Sequence, residues 1–386
     1  MSNTLKFGNG EWYGKEGTIL AYNDENKNYK PLPFTFERAS SATLVNKDGL
    51  IETVGADQPR VDYLNNSKGA LLLEPSRTNL ITYSEDFTQW GKLIDGSGIL
   101  PIVTSNFTIS PDGTQNADKI VFSRTSSGGS DYTLIKSDYG GADINGTASI
   151  YLKAESNVDI EITSDDLNYK TINVTTDWKR FEVSDITSDR LTFGLRGSEP
   201  STLNATVYAW GGQLEEGSYA TSYIPTSGSA VTRLGDVCNN GGNEQVFNDS
   251  QGGLYMEFEV IENTSSSYYI VSVRSSNGSD VLGVGGRQGK AFAEMFDGTN
   301  YISNNSANLV DGKNKIFLTY NSGNSAKLFL NGIKVLDFTG TIPSLSNLSE
   351  LVQGDRFLGN KYYGNISEIK YQNTLLTDAQ AIALTS

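Results

Sequence analysis

The sequence predicts an all-β protein: β-sandwich or jelly-roll domains in tandem, with a small irregular N-terminal module and one short C-terminal helix. Three observations carry this. Apolar residues recur at every second position, as in Leu254, Met256, Phe258 and Val260 between Tyr255, Glu257 and Glu259, so one face of each such segment is apolar. The segment Lys327 to Phe338, KLFLNGIKVLDF, holds an Asn331-Gly332 pair, the two residues that accept positive φ in a two-residue hairpin turn. Forty glycines among 386 residues exceed the usual ~7% and provide for many tight turns.

Along the chain, residues 1–78 read as irregular and turn-rich, with NDENKN at Asn23 to Asn28, Pro31, Pro33, the NKDG turn at Asn46 to Gly49 and a short strand at Leu71 to Leu73. Residues 79–235 carry a strand series: Ile150 and Leu152, Ile160 and Ile162, Ile172 and Val174, Phe181 and Val183, then Leu191, Phe193 and Leu195. Short strands between polar turns favour a sandwich over βαβ units. Cys238 to Gln245, CNNGGNEQ, has the composition of a linker or exposed loop. Residues 246–386 carry the second strand series. In its hairpin the expected register sets Leu330 against Ile333 and Leu328 against Val335, all on one side. Helix evidence is confined to the end, where Thr377-Asp378-Ala379-Gln380 has the form of a capping box.

Composition removes much chemistry. The chain has no histidine and one cysteine, which excludes Ser-His-Asp or Cys-His nucleophile pairs, His-ligated zinc and intramolecular disulfides. Thirty Lys plus Arg against 45 Asp plus Glu give a net charge of −15. Phosphate neutralisation needs clustered cations, so no nucleic-acid partner is expected. The N-terminus has no apolar signal core and no window approaches a membrane span, so a soluble chain without membrane insertion is expected. The length exceeds the ~250 to 300 residues of a single core, so more than one domain is expected.

Phe36 to Thr53 and Lys68 to Trp90 resemble a module of tail, fibre and other virion proteins of tailed bacteriophages. Tyr208 to Arg233 resembles the closing segment of a carbohydrate-binding-module-like jelly roll in such proteins. Gly312 to Val335 and Gly364 to Ser386 resemble a concanavalin-A-like, laminin-G-like lectin domain. The resemblance implies residues 1–78 as a virion attachment module, 79–235 as the jelly roll and 246–386 as the lectin domain. It further implies a virion protein assembled in a bacterial host cytoplasm as a homotrimer, with other virion proteins and a host surface glycan as partners. Non-catalytic adhesion is the expected role. The competing readings are a purely structural capsid-decoration, head-fibre or tail accessory protein and, third, a polysaccharide depolymerase.

Sugar binding needs flat aromatic faces ringed by Asp, Asn, Gln or Arg. Candidates in the middle region are Trp90, Tyr132, Tyr139 and above all Trp178, whereas the apolar context of Tyr208 and Trp210 favours a packing role. In the C-terminal region the preferred ligand contacts are Asp297, Asn300, Tyr301, Tyr362 and Tyr363, in polar turn-like stretches. No cofactor is expected; calcium is the one metal that the resemblance raises, with local carboxylate density at Asp24, Glu25 and Asn26, or at Asp165 and Asp166, and solvated acidic loops are the favoured reading of those stretches. Glycoside hydrolysis requires a carboxylate pair, and no motif among the 45 acidic residues singles one out.

Overall fold

A computed structural model describes residues 5–198, 200–260, 267–355 and 357–386. The chain forms two compact units, Met1–Lys47, Val54–Pro75 and Gly235–Ser386 making the first and Asp48–Thr53 with Ser76–Leu234 the second. Both are built from antiparallel strands, and the one α-helix among the described residues is Asp378–Thr385.

The first unit corrects the expectation of a separate module over residues 1–78. Strand Leu5–Gly8 pairs with Gly364–Gln372, Leu5 opposite Tyr371 and Phe7 opposite Ile369, and Ala70–Leu73 pairs with the other end of the same strand. Leu5, Phe7, Leu71 and Leu73 thereby enter one core with Met256, Phe258, Ile366 and Ile369. Leu5–Gly8 and Ala70–Leu73 have four residues each, too short to bury an apolar face alone, and the C-terminal strands supply the missing side. Cys238 to Gln245 is likewise no linker: Val237–Asn239 pairs with Asn28–Glu37, and Cys238 is buried. A larger sheet runs from Val237–Asn239 to Ile333–Asp337, and a five-stranded sheet holds Tyr301–Asn308, Lys290–Asp297, Asp280–Arg287, Ser267–Arg274 and Glu350–Val352.

The hairpin at Asn331-Gly332 forms with φ values of 47° and 79°. Leu330 pairs with Ile333 and Phe329 with Lys334, and beyond them a bulge sets Leu328 against Leu336 in place of the expected Val335. Leu328 and Leu330 lie in the core, whereas Ile333, beside the turn, is 64% exposed. The reverse face of strand Gln251–Val260 is also covered: Tyr255 packs with Phe317, Phe329 and Ala381 of the terminal helix. That helix starts with the expected capping box, Thr377 and Gln380 exchanging side-chain and backbone bonds.

The second unit is a sandwich of two five-stranded sheets. One has the order Gly91–Asp95, Tyr132–Asp138, Arg190–Arg196, Val158–Thr163, Lys170–Val174; the other has Gly98–Thr108, Ala117–Arg124, Asn204–Glu216, Ile144–Ala154, Lys179–Ser188. Ile135, Ile150, Leu152, Ile160, Ile162, Leu191, Phe193 and Leu195 form the core between them, as their alternation requires. Arg77–Asn79 pairs with Val231–Arg233 where the chain enters and leaves this unit.

Candidate functional site

Since alternate residues of each strand fill the core, the others line the outer face of the first sheet of the sandwich. Register places Leu134, Gly194 and Glu161 in one row across three strands, with Thr171 opposite Glu161 on the next strand. The adjacent rows hold Tyr132 opposite Arg196 and Lys136 opposite Thr192. Gly194 sits at the middle with φ 145°, where a Cβ would meet the Thr133 carbonyl oxygen at 2.4 Å and the Phe122 ring at 2.9 Å, so glycine is required there.

The Arg196 guanidinium lies 4.4 Å from the Tyr169 ring centroid and 5.9 Å from that of Tyr132, a pair of cation–π contacts. Among the described residues it makes no hydrogen bond or ion pair, so the five N–H donors of a half-buried guanidinium remain unspent. Glu161, only 5% exposed, accepts the Thr171 hydroxyl. Burial pushes its carboxyl above the usual range, against the lowering effects of the Thr171 bond and of Arg196. The Thr192 hydroxyl is buried without a partner among the described groups. A planar donor, a largely buried acceptor and two aromatic rings thus share one face. That is the set of groups that reads sugar hydroxyls and ring faces.

The expected site residues fare differently. Asp297, Asn300 and Tyr301 do come together, at the turn between Lys290–Asp297 and Tyr301–Asn308. Asp297 is the builder of that turn: it accepts the backbone N–H groups of Thr299 and Asn300, the Asn300 side-chain amide and the Ser344 N–H. Burial alone would raise its carboxyl, but these bonds outweigh it and hold the value at about 2. Tyr301 is half exposed, with its hydroxyl on Glu294.

Tyr362 is a correction. It is 3% exposed, rings with Phe258 and Tyr268, and donates its hydroxyl to the Glu259 and Asn365 carbonyls. Its polar neighbours in the sequence suggested a loop, whereas a residue just before strand Gly364–Gln372 is drawn into the core. Tyr363 packs against the same core. Trp90 is also buried, against Phe87 and Phe193, and Tyr139 packs against the sandwich core. Trp210 sits with Ala117 and Tyr223, the packing role its context predicted. Trp178 is half-buried and donates its indole N–H to the Ile109 carbonyl. Arg196, Glu161 and Tyr169 were missed. The alternation of Leu191, Phe193 and Leu195 assigns Arg196 to the outer face, but no local signal says which rings flank it.

The carboxylates considered for calcium are engaged within the chain. Asp24 pairs with Lys6 at 2.9 Å, Asp165 accepts the Thr163 hydroxyl and the Leu167 and Asn168 N–H groups, and Asp166 pairs with Arg190. Among the described residues no three Asp, Glu or Cys side chains converge as a metal would require. A separate cleft of about 490 Å³ in the second unit is lined by Tyr83, Glu85, Asp86, Asn106, Asp118 and Thr226, among others. Its buried carboxylates are occupied: Asp118 accepts the Phe87 and Asn106 N–H groups, and Glu85 accepts the Tyr223 hydroxyl and the Asn116 amide.

No family model and no curated protein matches the chain. Solved structures with some similarity include the carbohydrate-binding module (CBM40) of the Ruminococcus gnavus IT-sialidase, at 18% identity over 37% of this chain and 86% of that one, TM-score 0.32. Domain 4 of an extracellular arabinanase from Geobacillus stearothermophilus is 12% identical over 44% of this chain and 84% of that one, TM-score 0.34. The LG4-5 domains of the mouse laminin α1 chain are 10% identical over 65% and 89%, TM-score 0.27. At these values the comparisons do not bear on what this chain does.

Proposed function

We propose that the chain is a non-catalytic carbohydrate-binding protein that holds a saccharide on the outer face of the sheet containing Arg196. The observation that carries this is the Arg196 guanidinium, held between Tyr132 and Tyr169 with no hydrogen bond or ion pair among the described residues, beside the buried acceptor Glu161. Holding the guanidinium between rings removes its conformational freedom before a ligand arrives, which lowers the entropy cost of binding. The bound sugar would receive hydrogen bonds from Arg196 and donate to Glu161, while its apolar ring face meets Tyr132 or Tyr169. The non-catalytic reading is supported by the surroundings of Glu161, whose carboxyl is acted on, among the described residues, by the Thr171 hydroxyl and the Arg196 charge rather than by the second carboxylate that glycoside hydrolysis uses.

The resemblance of Phe36 to Thr53 and Lys68 to Trp90 to tailed-phage proteins supports a finer reading, a trimeric virion fibre or receptor-binding component that attaches to host glycans. Mass spectrometry of purified particles tests that placement. The binding itself is tested by displaying the full chain to a glycan array and titrating any hit against Arg196→Gln. Loss of affinity by about tenfold or more is expected, the scale of one charge-assisted hydrogen bond. No binding by the folded chain, or equal binding by the variant, overturns the proposal.

A further inference from the structure

The opposite sheet of the same sandwich carries a second cation held between rings. Register aligns Lys119, Tyr208 and Lys153 across three adjacent strands, with Val207 and Ala209 turned into the core, so the row faces outward. Lys153 Nζ lies 5.1 Å from the Trp178 ring centroid and 5.5 Å from that of Tyr208. Phe107 stacks on Tyr208 at 5.8 Å with an interplanar angle of 17° and is 46% exposed. Lys119 Nζ lies 4.8 Å from the Phe107 centroid.

The two lysines differ in what they already hold. Lys119 reaches Glu155 at 3.7 Å, and Glu155 also accepts the Tyr208 hydroxyl at 2.7 Å. Lys153 has no hydrogen bond or ion pair among the described residues, in a chain where acidic groups outnumber basic ones by 45 to 30. Ring faces attract an ammonium but leave its three N–H donors unpaired with any oxygen. The row further along this face is closed, since Trp210 is buried with Tyr223 and packed by Ile51; the Tyr208 row keeps Phe107 open to solvent.

We propose that this row is a second saccharide site, distinct from the Arg196 face, and that it takes an acidic sugar: the carboxylate pairs with Lys153 while the ring lies against Phe107 and Trp178. Here the aromatic surface supplies the stacking and a local cation offsets the repulsion that a chain of charge −15 exerts on an anionic glycan. The inference does not depend on the Arg196 site.

The test is calorimetric titration of the full chain with an oligogalacturonate and with its methyl-esterified form, which keeps the rings and loses the charge. Expected are binding of the acid form that weakens with added salt, a loss of about tenfold or more on methyl esterification or in Lys153→Gln, weaker binding in Phe107→Ala, and unchanged binding in Arg196→Gln. Loss in Arg196→Gln with retention in Lys153→Gln assigns the acid sugar to the other face and overturns this proposal while leaving the first intact. Equal affinity for acid and ester, or no binding by the folded chain, also overturns it.

Discussion

Replacing Asp236 by asparagine removes a carboxylate that is buried against Arg38 and Arg60. Asp236 Oδ2 lies 2.5 Å from Arg60 and accepts the Glu74 N–H at 2.7 Å, while Oδ1 lies 3.2 Å from Arg38. Arg60 also reaches Glu74 at 2.6 Å, and Arg38 and Asp236 have fully buried side chains. Asparagine keeps the shape and withdraws the carboxylate charge that Arg38 and Arg60 share, which costs about 3 to 5 kcal/mol at a buried pair. That is a large part of the ~5 to 15 kcal/mol by which a domain is stable. At roughly 2 to 4 °C per kcal/mol for a unit of this size, the first unit should melt about 6 to 20 °C lower. Differential scanning calorimetry of the full chain reads this directly, because the second unit contains none of the four residues and its transition serves as reference. Arg38→Met in the Asp236→Asn background removes a cation that faced the lost carboxylate, so the double variant should lose less than the sum of the two single variants. A shift below about 1 kcal/mol, or additive losses in the double variant, would refute the view that these ion pairs tie residues 38, 60, 74 and 236 together.

Tyr362→Phe removes a hydroxyl that serves the Glu259 and Asn365 carbonyls and should cost about 1 to 3 kcal/mol in chemical denaturation with no change in glycan binding; weaker binding with unchanged stability would restore Tyr362 as a ligand contact. Asp297 has a folded pKa of about 2, below its ordinary 3.8, so its contribution is present above the ordinary value and lost as pH falls toward 2. Asp297→Asn should therefore flatten the decline in first-unit stability over that acid range, and an unchanged acid profile counts against the turn assignment. Arg196→Gln and Lys153→Gln should separate two binding activities without a matching loss of melting temperature, since neither side chain has a hydrogen bond to lose among the described residues.

Much of the secondary structure was legible because it is local. The alternation in Leu254 to Val260, the Asn331-Gly332 turn and the Thr377 capping box each draw on neighbours within a few residues, and each forms as read. The exception inside the hairpin, the bulge after Leu328, is one residue of backbone that leaves no mark on an apolar pattern. Aromatics were harder to place. Tyr301 and Tyr362 lie in similarly polar stretches, yet one is half exposed and the other buried, because the partners that bury Tyr362, Phe258 and Tyr268, are about a hundred positions away.

By itself, then, the sequence determined the all-β class, the strand faces, the terminal helix and the absence of imidazole chemistry, since these follow from composition and short-range periodicity. Only the tertiary structure decided that Leu5–Gly8 completes a sheet with Gly364–Gln372, that Asp236 closes on Arg38 and Arg60, and that Arg196 and Lys153 each stand between two rings. Those pairings join residues up to hundreds of positions apart, and what selects them is burial of a shared core, a property of the assembled sheets that no window of the chain contains.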